Sequence, residues 1–233
     1  MADERVITMA KQLIKHSVRL QPGEKLLIEM TDDGEPLAKA LIDEAYRVGG
    51  LPFLTVKNDA LHRTLLAGAQ PDQIKMTASW EEERMRAMDA YIAIRAQKNA
   101  FEWSDLPEEQ SQLYQRLWWK PVHTDIRIMQ TKWCVMRYPV PGMAQKAGMS
   151  TEGFADFYFQ VCNLDYARLA EAEEPLVQLL EKTEQVRLVG PGTDLHFSVK
   201  DIPVMKSCGL RNIPDGEVFT APVKDSVNGV IAY

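Results

Sequence analysis

Between Lys25 and Val56 the chain reads strand, helix, strand with short links. Lys25-Leu26-Leu27-Ile28-Glu29-Met30 is a brief apolar run suited to a buried strand. Leu37, Leu41, Ala45 and Val48 then recur at helical spacing, with Thr31 or Asp32 placed to cap the helix and Gly49-Gly50 to end it. Leu51 to Val56 is a second strand. A crossover of this kind is right-handed and leaves its two strands parallel. The theme repeats. Residues 71–88 read as helix, with Glu81-Glu82-Glu83-Arg84 on a solvent face. Ala90 to Arg95 is a third buried strand, 106–118 is helical, and Lys132 to Met136 is a fourth strand. The expectation is an α/β, Rossmann-like layered domain with a parallel sheet.

Elements flank this unit on both sides. Val6, Met9, Ala10, Leu13, Ile14 and Val18 form one apolar stripe of a first helix, which Gln21-Pro22-Gly23-Glu24 stops. Past the turn-rich Pro139-Val140-Pro141-Gly142, Ser150 can cap a helix carrying Phe154, Phe157, Tyr158 and Val161. A helix over 165–182 is expected to turn Leu169, Leu176, Leu179 and Leu180 inward. Val186 to Val189 and Leu195 to Val199, joined through Gly190-Pro191-Gly192-Thr193-Asp194, read as a hairpin. The reading divides the chain into an N-terminal α/β domain, 1–184, and the incomplete β-rich start of a second domain, 185–233. Val227 to Tyr233 looks like a strand without its neighbour. A cut-off catalytic half would explain that, and so would pairing with another subunit.

Composition narrows the function classes. With 27 Lys+Arg against 33 Asp+Glu, the net charge of -6 argues against a protein that tracks nucleic-acid phosphates. Cys134, Cys162 and Cys208 form no CxxC pair and read as reduced core thiols. Met1-Ala2-Asp3-Glu4-Arg5 lacks the apolar stretch of a secretory signal, and no apolar run reaches the ~20 residues of a membrane span. The expectation is a soluble cytoplasmic protein without membrane or nucleic-acid partners. Nucleotide binding is disfavoured as well. Where a glycine fingerprint would follow the first strand stands Thr31-Asp32-Asp33-Gly34, whose two carboxylates would repel a pyrophosphate.

The most specific stretch is Asn212-Ile213-Pro214-Asp215-Gly216-Glu217-Val218-Phe219-Thr220-Ala221-Pro222, followed by Asp225-Ser226-Val227-Asn228-Gly229. It resembles the metal-binding start of the catalytic domain in thermophilic metallo-aminopeptidases, the aminopeptidase T, aminopeptidase S and PepS family. Gly190 to Leu195, Arg137-Tyr138-Pro139, Ala147-Gly148-Met149-Ser150 and Asp165-Tyr166 are similar to further segments of that family. The resemblance implies an enzyme that releases N-terminal amino acids from peptides with a free N-terminus. It implies two divalent metals per site (zinc, cobalt or magnesium) and a homodimer. Of the family's ligand set, two glutamates, two histidines and an aspartate, only the first glutamate has a counterpart here, Glu217. The resemblance thus casts this chain as the N-terminal portion of such an enzyme, inactive alone. A carboxylate at Glu217 could bridge two ions whose shared water ionises near neutral pH. Gly216 would allow close backbone approach, with Pro214 and Pro222 stiffening the segment. Read locally, Asp215-Gly216 is more readily a hairpin turn and Glu217 a surface residue; the long family resemblance reverses that preference.

No other constellation assembles from spacing. His16 is expected beside the first helix's apolar face, His62 at the surface, His123 in a loop and His196 toward solvent; none has HExxH spacing. Cys162 reads as a buried thiol. Trp118-Trp119 reads as core, with a peptide-binding or subunit surface as the alternative. Two other functions stay open: a non-catalytic α/β interaction or dimerisation module, and a small-molecule binder at the carboxyl edge of the parallel sheet.

Overall fold

The computed structural model describes residues 3–233; Met1 and Ala2, part of the segment read as no secretory signal, lie outside them. Five strands form a parallel sheet: β1 (Lys25–Asp32), β2 (Leu51–Lys57), β3 (Ala90–Ala96), β4 (Lys132–Arg137) and β8 (Asn212–Ile213), in the order β2-β1-β3-β4-β8. Leu26, Ile28 and Met30 are buried on one face of β1. That side is covered by α2 (Glu35–Arg47) and by α1 (Glu4–Gln12), which runs on into a π-helical stretch, Leu13–Ser17. The opposite face begins with Leu27 and Tyr91. These pack with Leu66 of α3 (Asp59–Gly68), Ile74, Ala78 and Met85 of α4 (Pro71–Arg86), and Trp118, Val122 and Ile126. The last three belong to a π-helical stretch, Gln115–Arg127, that continues α5 (Glu108–Tyr114) and runs into α6 (Ile128–Gln130). Pro121 sits inside that wider winding, where an α-helix would be broken by its missing N–H.

Several local expectations give way to packing. Neither Thr31 nor Asp32 caps α2, because β1 extends through both and Gly34 takes the N-cap. A Cβ at Gly34 would lie 2.6 Å from Ile94 Cγ2, so close approach to β3 requires glycine there. Asp32 instead adopts φ 56° and its carboxylate accepts the backbone N–H groups of Asp59 (3.1 Å) and Lys98 (3.4 Å), tying two strand-end loops together. Glu81, Glu82 and Arg84 are half-buried rather than on a solvent face, since Arg84 reaches β2 and donates to Thr55 Oγ1 at 2.7 Å. Asn212–Ile213, read within the second domain, pairs with Val135–Met136 as the fifth parallel strand.

The chain forms two compact units. The first comprises 3–164 and 209–214, and includes α7 (Pro141–Lys146) and α8 (Thr151–Cys162). Ser150 caps α8 through Gly153 N, as its sequence predicts. The second unit comprises 165–208 and 215–233. In it α9 (Tyr166–Glu181) packs on a two-stranded ribbon, β7 (Met205–Ser207) with β9 (Glu217–Phe219). The expected hairpin forms from β5 (Gln185–Gly190) and β6 (Thr193–Ser198), and β10 (Asn228–Val230) pairs with β6. The terminal strand therefore does have a neighbour. Leu176 and Leu179, expected to point inward, are exposed. Three-residue strands span about 10 Å, enough for about seven residues of helix. Tyr166 and Glu173 are buried on α9, Lys206 Nζ of β7 donates to Ala170 O at 3.2 Å, and Leu176 and Leu179 lie beyond these positions.

Candidate functional site

Glu217 opens β9, where it stands opposite Ser207 in the ribbon, with its side chain exposed. The turn before it is built as its sequence suggests. Gly216 has φ 134°, and a Cβ there would come within 3.2 Å of Leu169 Cδ2. The backbone N–H of Asp215 donates to the Tyr166 hydroxyl at 3.2 Å, pinning the turn to α9. Glu173, on the same helix, is buried with neither carboxylate oxygen bonded; burial, with Asp215 nearby, raises its pKa. Among the described residues no three His, Cys, Asp or Glu side chains gather to hold a metal ion. One exposed carboxylate does not fit a two-metal centre, since catalytic zinc sites already need three protein ligands.

A sizeable concavity lies in the first unit. A cleft of about 780 Å³ opens at the carboxyl ends of β1, β2, β3 and β4. Strand register explains its chemistry. On one face each strand starts apolar and ends polar: Leu27, Glu29, Thr31; Phe53, Thr55, Lys57; Tyr91, Ala93, Arg95; Trp133, Val135, Arg137. Glu29 is only 13% exposed and is held by Lys57 Nζ at 2.8 Å and by the Tyr91 hydroxyl, which donates to it at 3.1 Å. Burial pushes the Glu29 carboxyl up, but Lys57 and Tyr91 bring it below its ordinary value. Burial, reinforced by Glu29, drives the Tyr91 hydroxyl well above its own.

Two histidines assigned by their sequence to the surface and to a loop line this cleft. His62 sits on α3, half-buried and edge-on to Trp103 (5.0 Å) and Tyr114 (5.4 Å). His123 lies inside the π-helical stretch and is 2% exposed; its Nδ1 accepts from Arg127 Nε at 2.9 Å. The Lys120-Pro121 pair had suggested a loop there. The wider winding continues through it and turns the ring inward. Burial pushes His62 down to about 4 and His123 down to about 3, with the Lys57 ammonium opposing protonation of both. His196 is exposed beside Asp194 at 3.2 Å, as expected, and His16 is half-buried. The three cysteines are buried without disulfides, and burial raises the Cys162 thiol to about 11, against a nucleophilic role. Trp118 is core and Trp119 lines the cleft.

The buried neutral histidines set a pH dependence. Between the unfolded imidazole value near 6.5 and the folded values, only the unfolded chain binds the protons, so stability falls as pH is lowered. Each histidine contributes a slope of about 1.4 kcal/mol per pH unit in that window. Urea unfolding at pH 7, 6 and 5 should show a falling midpoint, and His123→Gln should flatten the trend. An identical pH slope in His123→Gln would mean the ring titrates normally.

The family description "Thermophilic metalloprotease (M29)" matches residues 2–233. Aminopeptidase T of Thermus thermophilus is 24% identical over 258 aligned residues, spanning 96% of this chain and 62% of that protein. The solved structure titled wild-type AmpT from Thermus thermophilus superposes with a TM-score of 0.78 at 21% identity, over 97% of this chain and 63% of that one. A 2,5-dihydroxypyridine dioxygenase from Pseudomonas putida KT2440 gives a TM-score of 0.50 at 15% identity, over 96% of this chain and 57% of that one. These two superpositions speak to fold alone. The chain thus spans somewhat over three-fifths of the length of the curated relative. With the family description matching residues 2–233, the chain belongs to the M29 family of thermophilic metalloproteases.

Proposed function

We propose that this chain is the N-terminal portion of a metal-dependent aminopeptidase that removes N-terminal residues from peptides. The observation that carries the reading is the family match through Gly216-Glu217, on a backbone whose φ of 134° at Gly216 suits the tight turn ahead of a ligand. Glu217 is one metal ligand in this reading. The remaining glutamate, histidines and aspartate belong to segments with no counterpart among these residues, so this chain by itself does not turn over substrate. The functional division into an N-terminal α/β domain, 1–184, and the beginning of the catalytic domain, 185–233, is part of the same proposal, as are the cytoplasmic location and the two divalent ions.

A homodimer also belongs to it. β2 is the outer strand of the parallel sheet, and Phe53, Leu54 and Val56 on it are exposed. An open apolar edge of this kind is a pairing surface. Among the described residues no helix is long and apolar enough to cross a membrane.

The test uses the gene product carrying the full ligand set. After chelation, adding zinc, cobalt or magnesium should restore cleavage of an aminoacyl reporter with a free amine, and N-acetylation of the reporter should abolish it. Inactivity with every one of these ions would favour the second reading, a non-catalytic interaction module. That reading draws on the lack of a clustered ligand set among the described residues.

A further inference from the structure

The cleft at the carboxyl edge of the parallel sheet carries more positive charge than its own fold uses. Arg95 on β3 and Arg137 on β4 are directly opposite in register and share a face. Like charges so placed repel. Among the described residues neither is in an ion pair, and both line the cleft. The chain as a whole is acidic, at -6, so composition does not account for this concentration of cations.

The helical wall supplies buried donors with the same demand. His123 Nδ1 accepts from Arg127, so the neutral ring carries its proton on Nε2. Among the described residues that Nε2–H has no acceptor, and neither has Nη1 of Arg127. The two side chains belong to residues 2% and 4% exposed, and both line the cleft. Buried donors are normally satisfied, and a pair of them in the same cleft as two unpaired arginines asks for oxygen acceptors bearing negative charge. The cleft's carboxylates do not take these cations: Glu29 is engaged by Lys57 and Tyr91, Glu102 accepts from Asn99 Nδ2 at 3.2 Å, and among the described residues neither they nor Asp59 form an ion pair with Arg95 or Arg137.

Part of the remaining wall is aromatic. Trp103, Tyr114, His62 and Trp119 border the same space. Its volume of about 780 Å³ suits a small ligand rather than a macromolecule. We infer that this cleft binds a small aromatic molecule bearing a carboxylate or phosphate, its oxyanion held by Arg95, Arg137, Arg127 and His123 Nε2–H and its ring set against the tryptophans. Glu217 is not among the residues that line it, and the inference does not rest on aminopeptidase activity.

Calorimetric titration of the 233-residue chain with indole-3-carboxylate, phenyl phosphate and the neutral indole-3-carboxamide tests this. At least one anion should saturate at one per chain, with the carboxamide at least tenfold weaker, and the affinity should fall as salt is raised. The tighter of the two anions identifies the headgroup. In 15N-histidine-labelled protein the Nε2–H correlation of His123 should shift on saturation with that anion, which a purely structural histidine would not do. Arg95→Gln, at a half-buried position, should weaken binding at least tenfold with an unchanged circular dichroism spectrum. Arg127→Gln should do the same if it folds; Arg95→Gln and the histidine spectrum decide the matter if it does not. Equal affinity for acid and carboxamide, no saturation by either anion up to millimolar concentration, or wild-type binding by Arg95→Gln would each overturn the inference.

Discussion

Glu217→Gln is expected to lower turnover at least 100-fold in the metal-loaded gene product that carries the full ligand set, while leaving the melting temperature of the metal-free protein unchanged. The size follows from the proposed role. Altering a group that only orients a metal ligand already costs 10–100-fold in affinity or activity, and a ligating carboxylate should cost no less. Glutamine keeps the shape but removes the charge that, in the proposed site, would offset repulsion between divalent ions. The unchanged stability follows from the fold. Glu217 is exposed, and its strand is held through backbone pairing with Ser207 and its neighbours. Exposed substitutions away from caps and strained positions stay within about 0.5 kcal/mol. Metal content per chain and kcat, measured on the same preparation, check both halves. Wild-type metal content with wild-type kcat would remove Glu217 from the metal site.

Trp118→Ala should destabilise the first unit by about 3–5 kcal/mol, the usual cost of emptying a buried aromatic position. The ring is 5% exposed and stacks on Tyr114 at 5.0 Å and 13°. It also lies 5.2 Å from the His123 ring, and the Lys57 ammonium sits 4.7 Å above it. The substitution would therefore open a hole under the floor of the cleft as well as in the core. For a chain of this size each kcal/mol lowers the melting temperature by about 2–4 °C, so a fall of roughly 6–20 °C is expected. Trp118→Phe should recover much of it. A fall under about 3 °C for the alanine variant would mean that the ring is not bearing on the core.

Much of the architecture was legible because the parallel sheet announces itself locally. Fully buried strands such as Ala90–Ala96 read as continuous apolar runs, and amphipathic helices read by their stripe, so the order β1-α2-β2 followed directly. Legibility failed where a residue's setting depends on partners far along the chain. Leu176 and Leu179 carry a helical stripe, but the ribbon packed against α9 is too short to cover them. His62 and His123 lie 61 positions apart and have no motif spacing between them; the sheet's carboxyl edge brings both to one cleft. The period-two pattern that ends three strands in Lys57, Arg95 and Arg137 was present in the letters. Their shared row appears only once register is known, because a slip of one residue would send each side chain to the other face.

What the amino-acid order determined by itself was the α/β class, the helix and strand sequence, the hairpin around Pro191-Gly192, and the Glu217 segment with its family resemblance. Those depend on periodicity, turn chemistry and short contiguous motifs, all of which act within a few residues. Tertiary structure alone decided that Asn212–Ile213 completes the parallel sheet, that Gly34 rather than Asp32 begins α2, and that a buried histidine, three arginines and an aromatic wall meet in one space. Each of those rests on a distance between groups remote in sequence, and such distances are set by packing.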